Sequence, residues 1–301
     1  METNTPLMSI VQGVSAAPGR PDEIESASNR FVVHPISRAV AGMLAKTPVT
    51  PNQVSVASVV ASAGAAACYL RLAWPLSAFA GLGLQIVWHI LDGADGDLAR
   101  RTGRASPVGE LVDGVCDHVS QVLVYVALAL MAQSRLGVGW SWALALTAGA
   151  SHFVQATAYE TGRKAYRHFV YGASWMRQTG AGEGRAGAAL ATFYLSVSSW
   201  MSPGESAAEL AMTNADGTAR QRYKEIFAPL VKASGLLSSN ARTMAAFAAV
   251  LVKWPAAFFV FELTVLNLAL VFFAMWRARA NSKLAAMLSA PAGLQAAAEP
   301  N

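Results

Sequence analysis

The sequence predicts an all-α integral membrane protein with six transmembrane helices, and three observations support this fold class. Apolar residues make up 54% of the 301-residue chain and charged residues only 14%, against about 25% in an average globular protein. The mean hydropathy is +0.36. Long apolar stretches also recur along the chain at lengths that suit membrane crossing. Together these features exclude an ordinary soluble protein.

The amino-terminal part predicts a tail followed by one amphipathic helix. Residues 1–30 contain several acidic side chains and no apolar core, so we expect a disordered tail in the cytosol and no cleaved secretory signal. In residues 31–48, apolar side chains recur at helical spacing, with Arg38 and Lys46 on the flanks. This pattern predicts a helix lying in the membrane interface, and packing against protein would produce the same pattern.

Six stretches approach the length of about 20 residues that a bilayer-crossing helix needs. Four of them lie between residues 49 and 160, at about 53–72, 76–91, 111–132 and 140–159. The last apolar tract, residues 244–276, is too long for one helix. We divide it at Pro255, because proline interrupts the helical hydrogen-bond ladder. The fifth and sixth helices are therefore expected within residues 236–280.

Basic residues test this topology through the positive-inside rule. With both termini in the cytosol, only Arg71, Arg135 and Lys253 among the 23 Lys and Arg residues face the opposite side. Residues 161–235 then form a cytosolic polar insert with a helical part, and residues 281–301 a disordered tail. If residues 186–201 formed a seventh span, the basic stretch after them would move to the far side. We expect a multi-pass protein of the bacterial inner membrane.

Two function classes are excluded by composition. The basic residues are spread along an apolar chain and form no contiguous stripe, so we expect no nucleic-acid partner. The two cysteines, Cys68 and Cys116, both lie in apolar stretches. A disulfide framework or a cysteine metal site is therefore not expected.

Acidic residues cluster strongly in one short segment. Six of the 18 Asp and Glu residues fall within positions 92–117. Asp92 and Asp95 are three apart and Asp113 and Asp117 four apart, so each pair lies on one helical face. Two antiparallel helices would bring the four carboxylates together, where they would repel one another. A divalent cation removes this repulsion, and ligands that are all oxygen favour Mg²⁺ or Mn²⁺ over Zn²⁺.

Two other interpretations of the cluster remain open at this point. Carboxylates inside a membrane can relay protons or cations in a transporter. They can also form a structural ion-pair network, here with Arg100, Arg101 and Arg104. Neither interpretation explains why glycine and alanine recur at fixed offsets from the aspartates.

The whole segment resembles the signature of a known enzyme family. Residues 92–117 read DGADGDLARRTGRASPVGELVDGVCD. They are similar to the signature of the CDP-alcohol phosphotransferases, DxxDGxxAR followed after eight residues by GxxxDxxxD. The Thr-Pro-Asn-Gln run at residues 50–53 resembles the family's entry to its first span, and six spans is the family's usual number. All eight defined positions match: Asp92, Asp95, Gly96, Ala99, Arg100, Gly109, Asp113 and Asp117.

The resemblance implies a metal-dependent transferase of phospholipid biosynthesis. Such an enzyme transfers a phosphatidyl group from a CDP-linked donor, here expected to be CDP-diacylglycerol, to the hydroxyl of a polar alcohol, and CMP leaves. The alternative is transfer from a soluble CDP-alcohol to a lipid acceptor such as diacylglycerol. A cation-coupled transporter is the remote alternative. Members of the family differ in both substrates, so the sequence leaves the acceptor open.

The resemblance also implies a role for each signature residue. Asp92, Asp95, Asp113 and Asp117 would hold two Mg²⁺ or Mn²⁺ ions on the pyrophosphate, and Asp117 would also act as general base on the acceptor hydroxyl. A second group of residues would bind the CDP part: the two glycines and the alanine leave room for it, and the arginine can fork onto a phosphate. This second group is Gly96, Ala99, Arg100 and Gly109.

Candidates for the acceptor site are basic residues outside the signature. Arg163, Lys164 and Arg167 follow the fourth predicted span, and they suit either the phosphate of an acceptor or anionic lipid headgroups. Arg242 lies in a run that loosely resembles a basic run of some family members. The expected partners are thus a CDP-linked donor, an alcohol acceptor and membrane lipids. Members often form homodimers, although no pattern in this sequence identifies a dimer face.

Overall fold

The structure is a computed structural model that describes residues 21–173, 212 and 217–289. These residues form helices and turns and contain no strand, which confirms the all-α fold class for them. Parts of the two predicted tails (1–20 of residues 1–30, and 290–301 of residues 281–301) and the short apolar stretch at 186–201 lie outside the described residues. We number the helices in chain order: α1 His34–Leu44, α2 Pro51–Arg71, α3 Leu76–Arg101, α4 Pro107–Tyr171, α5 Gly217–Ala233, α6 Ser239–Leu251, α7 Ala256–Phe261 and α8 Asn267–Ser289.

Four helices of the described residues have the length and composition to cross a membrane. They are Pro51–Arg71, Leu76–Arg101, Val108–Tyr171 and Ala256–Leu288. The last of these joins α7 and α8 through one π-helical turn, Glu262–Leu266. The prediction of six separate spans remains a prediction.

Helix α4 contains two of the six predicted spans, one on each side of a sharp bend. Gly137 has a φ of 73° and a ψ of 167°, a conformation that glycine adopts without steric cost. The two arms fold back on each other, because the rings of His118 and Phe153 lie 5.7 Å apart, as do those of Tyr125 and His152. The region is therefore a helical hairpin with a one-residue turn, where the sequence predicted a short loop.

The predicted interruption at Pro255 is confirmed. Helix α6 ends at Leu251 and α7 begins at Ala256, with Lys253 between them at a φ of 57°. The 13 residues of α6 extend only about 20 Å, less than the roughly 30 Å hydrocarbon core. This length explains why the predicted fifth span is not among the four candidate helices.

Helix α1 buries one face and exposes another. Ala41 packs in a cluster with Val54, Ala94 and Leu98 of α2 and α3. Elsewhere on the same helix the apolar side chains of Ile36 and Met43 are exposed, as is Phe31 in the π-helical turn that precedes α1. An apolar exposed face suits a membrane interface, so the interfacial role remains our prediction for this helix.

Helices α2 and α3 form a tight antiparallel hairpin. Helix α2 begins with a capping box: Thr50 Oγ1 accepts from the Gln53 backbone N–H, and Gln53 Oε1 accepts from the Thr50 N–H at 2.9 Å. Further along, a Cβ atom at Gly81 would lie 2.0 Å from the Tyr69 ring. The close approach of the two helices therefore requires glycine at position 81.

The chain divides into two compact units. Of the described residues, the carboxylate unit comprises Glu25–Tyr159 and Ser234–Phe272, and the tyrosine unit comprises 21–24, 160–173, 212, 217–233 and 273–289. The core of the tyrosine unit is aromatic, with Tyr223 stacked on Phe227 at 4.2 Å between ring centroids. Helix α8 continues to Ser289, past the predicted tail boundary at 281, because its alanine-rich end favours helix.

A single carboxylate ties the amino-terminal segment into the tyrosine unit. Glu23 Oε1 accepts hydrogen bonds from the Tyr166 hydroxyl at 3.0 Å and from the Tyr171 hydroxyl, and Lys224 Nζ lies 3.3 Å away. Burial by itself would raise the pKa of Glu23, but these three donors, together with its own backbone, hold that pKa below its ordinary value. Ile24 beside it is buried, so residues 22–24 are ordered although the sequence predicted a disordered tail.

We expect Glu23→Gln to lower the free energy of unfolding by about 1–2 kcal/mol at pH 7, because hydrogen bonds to a charged acceptor are stronger than those to an amide. A lowered folded-state pKa stabilises the fold fully above the unfolded value of about 4.3, and this contribution is lost as pH falls through the folded value. The melting-temperature difference between wild type and Glu23→Gln should therefore stay constant at neutral pH and shrink at strongly acidic pH.

The matched control for this prediction is Glu225→Gln on the exposed face of α5, which should change stability little at any pH. A Glu23→Gln difference that does not depend on pH would contradict the assignment.

Candidate metal centre

The end of α3 and the start of α4 bring three of the predicted ligands together. Asp92, Asp113 and Asp117 each offer a carboxylate oxygen, and these oxygens all lie within 4.8 Å of one another. All three side chains are half-buried. The turn between the helices passes through Gly103, at a φ of 65°, and Ser106 Oγ then accepts from the Gly109 N–H at 3.0 Å to start α4.

The fourth aspartate, Asp95, lies beside this group and is held by the protein. Only 3% of Asp95 is exposed. Its Oδ2 accepts from the Ser55 hydroxyl of α2 at 2.5 Å, and its Oδ1 accepts from the Gly96 N–H at 2.5 Å. Its carboxylate interacts electrostatically with that of Asp92. Asp95 is thus oriented by two donors, although it does not belong to the group of three.

The carboxylate group fits a divalent cation. Two unit charges 4.8 Å apart repel by about 3 kcal/mol at an effective dielectric constant of about 20. Asp117 Oδ1 is buried and has no hydrogen-bond partner among the described residues, although a buried carboxylate oxygen normally has one. A cation would supply both the missing partner and the compensating charge. The oxygen ligands and their spacing suit Mg²⁺ or Mn²⁺.

The predicted CDP-binding residues surround the ends of the same two helices. Arg100 extends to the exposed side of α3, where its guanidinium pairs with Asp97. A Cβ atom at Gly96 would lie 3.4 Å from Arg100 Nη1, and one at Gly109 would lie 3.2 Å from Ser106 Oγ. A side chain at either glycine would therefore press against a neighbouring residue of the same helix end, Arg100 or Ser106. Ala99 is half-buried on α3.

Asp97 occupies a variable position of the signature. The structure places it as the partner of Arg100, three residues away on the same helix. The i, i+3 spacing of the two residues was the signal that could have shown this pair.

The predicted acceptor residues Arg163, Lys164 and Arg167 lie on the last turns of α4, in the tyrosine unit, and all three are half-buried. Arg163 Nη1 donates to Glu160 Oε1 at 2.8 Å. Arg277 of α8 also belongs to this basic group, and the sequence analysis did not identify it. It packs directly over Gly162, because a Cβ atom at Gly162 would lie 2.0 Å from Arg277 Nη2. Nothing in the linear sequence pairs the two positions.

Arg242 makes contacts that differ from those expected of an acceptor ligand. It is 2% exposed, and its Nε donates to Glu262 Oε1 at 3.1 Å. Its Nη2 donates to Gln155 Oε1 and its Nη1 to the carbonyl oxygen of Leu237, both at 2.5 Å. Every guanidinium nitrogen is thus occupied by the protein itself. Acceptor binding by Arg242 stays a prediction, and these contacts favour a structural role between α4, α6 and the π-helical turn.

Fold and site together define a helical membrane protein with an acidic centre suited to a divalent cation. A family model described as CDP-alcohol phosphatidyltransferase matches residues 48–214, which include the whole of the signature. The chain belongs to the CDP-alcohol phosphatidyltransferase family, as the sequence resemblance predicted. Members of this family depend on divalent metal ions.

Curated relatives match shorter parts of the chain. An archaetidylinositol phosphate synthase of Aeropyrum pernix is 34% identical over 93 residues, which cover 31% of this chain and 46% of the relative. Cholinephosphotransferase 1 of Xenopus laevis is 35% identical over 128 residues, 38% of this chain and 31% of the relative. A bifunctional IPC transferase and DIPP synthase of Rubrobacter xylanophilus is 39% identical over 97 residues, 31% of this chain and 20% of the relative. The matches thus span less than half of each relative's length.

Proposed function

We propose that this chain transfers a phosphatidyl group from CDP-diacylglycerol to the hydroxyl of a polar alcohol and releases CMP. The observation that carries the proposal is the convergence of Asp92, Asp113 and Asp117, with the partnerless buried oxygen of Asp117 among them. These three aspartates occupy defined positions of the family signature. A transporter would not need the signature of a family that acts on CDP-linked donors.

In this proposal the four aspartates Asp92, Asp95, Asp113 and Asp117 hold two divalent cations. Bound there, the metal neutralises charge on the pyrophosphate and polarises the reacting phosphoryl group. Asp117 takes the proton from the acceptor hydroxyl, because its Oδ1 has no protein donor competing for it among the described residues. Much of the remaining rate enhancement comes from holding donor and acceptor in line.

The CDP part of the donor binds beside these carboxylates. Gly96, Ala99 and Gly109 would allow a close approach of the nucleotide at the helix ends, because none of them has a side chain larger than a methyl group. Arg100 is 47% exposed at its side chain, so its guanidinium is accessible to a phosphate oxygen and can bind it while Asp97 holds it from the other side.

The acceptor is proposed to be a phosphorylated polar alcohol, bound through the basic group of Arg163, Lys164 and Arg167. The relative named archaetidylinositol phosphate synthase supports this class of acceptor. The second candidate function is transfer from a soluble CDP-alcohol to a lipid such as diacylglycerol. The similarity to proteins named cholinephosphotransferase 1 in Xenopus laevis, Gallus gallus and Homo sapiens favours this alternative.

We further propose the predicted topology, with both termini in the cytosol and the carboxylates at the cytosolic edge of the membrane. The distribution of basic residues supports this orientation.

A matrix of donors and acceptors tests the proposal. Purified full-length protein in lipid nanodiscs is supplied with CDP-diacylglycerol or CDP-choline, each with inositol phosphate, glycerol phosphate or diacylglycerol, and with Mg²⁺ or Mn²⁺. CMP release from CDP-diacylglycerol with a phosphorylated alcohol is the expected result. Release only from CDP-choline with diacylglycerol would favour the second candidate. Absence of CMP from every combination would contradict both.

A double variant tests the acceptor assignment. We expect Arg163→Ala with Arg167→Ala to raise the KM of the phosphorylated acceptor by at least about 100-fold, because each of the two charged hydrogen bonds lost contributes about 1.5–3 kcal/mol. The KM of the CDP-linked donor should stay near the wild-type value. Lys232→Ala, at an exposed position near the end of α5, removes a positive charge elsewhere and is the control. An unchanged acceptor KM would assign the two arginines to lipid headgroups.

A further inference from the structure

Helix α2 presents a row of buried serines to the two helices that carry the aspartates. Ser55, Ser58 and Ser62 are spaced three and four residues apart, so they share one face of the helix. Each is at most 3% exposed. Ser62 Oγ donates to the carbonyl oxygen of Ser120 on α4 at 2.8 Å, one turn after Asp117. Ser55 makes the corresponding contact with α3, where its hydroxyl donates to Asp95.

The contact between Ser55 and Asp95 joins two buried polar groups on different helices. The distance from Ser55 Oγ to Asp95 Oδ2 is 2.5 Å, which is the short range of hydrogen bonds to a charged acceptor. The Gly96 N–H holds the other oxygen. Both oxygens of Asp95 therefore have a protein donor, whereas Asp117 Oδ1 has none among the described residues.

The register of α2 against α3 is fixed on both sides of this contact. The capping box at Thr50 and Gln53 sets where α2 begins, and therefore which residue stands opposite Asp95. Val54 packs against Ala94 and Leu98, which lie on either side of Asp95 along α3. The second acceptor near Ser55 Oγ, the Pro51 carbonyl oxygen of its own helix, lies at 3.3 Å, whereas Asp95 Oδ2 lies at 2.5 Å, so the carboxylate is the closer acceptor.

We propose that Ser55 is a positioning residue that orients the Asp95 carboxylate toward the divalent cation. The inference rests on the proposed function and deepens it. An ionised carboxylate has about four acceptor positions, and the two protein donors occupy two of them. The remaining lone pairs stay available to a cation while the rotamer of Asp95 is fixed. Partners of this kind behind a ligand raise metal affinity because they hold the ligand in its binding orientation.

Mn²⁺ binding without substrate tests the role of Ser55 separately from catalysis. Full-length protein in nanodiscs is titrated with Mn²⁺ alone, and the free ion is followed by electron paramagnetic resonance. Ser55→Ala should weaken binding by about 10-fold to 100-fold. Ser58→Ala is the matched control, because among the described residues its hydroxyl bonds only to the Ser55 carbonyl oxygen of its own helix, and it should change binding by less than about 2-fold.

A double-variant cycle shows whether the effect passes through Asp95. In an Asp95→Asn background, the further change Ser55→Ala should leave Mn²⁺ affinity unaltered, because the charged acceptor is already gone. Ser55→Thr keeps a hydroxyl and should bind more tightly than Ser55→Ala.

The outcomes separate this inference from the proposed function. If the wild-type protein binds no Mn²⁺, the metal centre and the function built on it are both overturned. If the wild type binds Mn²⁺ and Ser55→Ala binds equally well, only the positioning role is overturned. Equal weakening by Ser55→Ala with and without Asp95 would also overturn it, because Ser55 would then act by another route.

Discussion

Replacing Asp117 with asparagine should lower kcat for CMP release by about 10²–10⁴-fold while the fold remains intact, because the substitution removes the proposed general base. The amide has almost the same shape as the carboxylate. It cannot accept the hydroxyl proton, however, and it removes one negative charge from the group that Asp92 and Asp113 form with it. Turnover is measured as CMP release, and CDP binding is measured on the same preparation.

The affinity for CDP should fall far less than kcat, because three of the four aspartates remain. Glu110→Gln is the matched control: it removes a carboxylate from the same part of α4, at an exposed and undefined position of the signature, and should leave turnover close to that of the wild type. Wild-type turnover in the Asp117→Asn variant would remove Asp117 from the mechanism. Equal losses of kcat and of thermal stability would point to a damaged fold.

Replacing Arg242 with methionine should produce the largest loss of stability, about 3–5 kcal/mol in the free energy of unfolding. Glu262, its ion-pair partner, is fully buried at 0% exposure. Glu262 Oε2 already has no hydrogen-bond partner among the described residues. Removing Arg242 would leave an uncompensated carboxylate between α4, α6 and the π-helical turn. Gln155 Oε1 would lose its charged donor as well.

The double variant Arg242→Met with Glu262→Met tests whether the loss of stability comes from leaving the buried Glu262 carboxylate without its partner. Because an apolar pair of similar volume can replace a buried ion pair at little cost, the double variant should recover most of the stability that the single variant loses. Stability is measured by thermal unfolding in detergent. An Arg242→Met variant that is as stable as wild type, but has a higher acceptor KM, would restore the acceptor-binding role that the contacts of Arg242 argue against.

The signature region shows how much a local pattern can reveal about a site. Spacings of three and four residues place Asp92 with Asp95 and Asp113 with Asp117, because helical geometry fixes which side chains share a face. The structure brings three of these residues into one group and sets Asp95 beside it. The hydrogen-bond partner of Asp95, Ser55, lies 40 residues earlier in the chain, so no local spacing reveals it.

The basic residues show where a local pattern fails. Arg100 could be identified from the signature, and its partner Asp97 lies within the same helical turn. Arg242 was assigned from a loose local resemblance, but its partners Gln155 and Glu262 come from other helices. A single glutamate within an apolar tract was the available signal, since a charge buried in a membrane helix requires a partner.

The amino-acid sequence by itself determined the helical membrane class, the break at Pro255, the eight signature positions and the family, because these depend on composition, helical period and local spacing. The tertiary structure alone decided the hydrogen bond of Ser55 to Asp95, the burial of Arg242 with Glu262 and the contacts of Glu23 with Tyr166, Tyr171 and Lys224. Each of these depends on contacts between residues far apart in the chain. The helical periodicity of the sequence does not identify such contacts, because the same apolar helix faces could pack together in many different pairings.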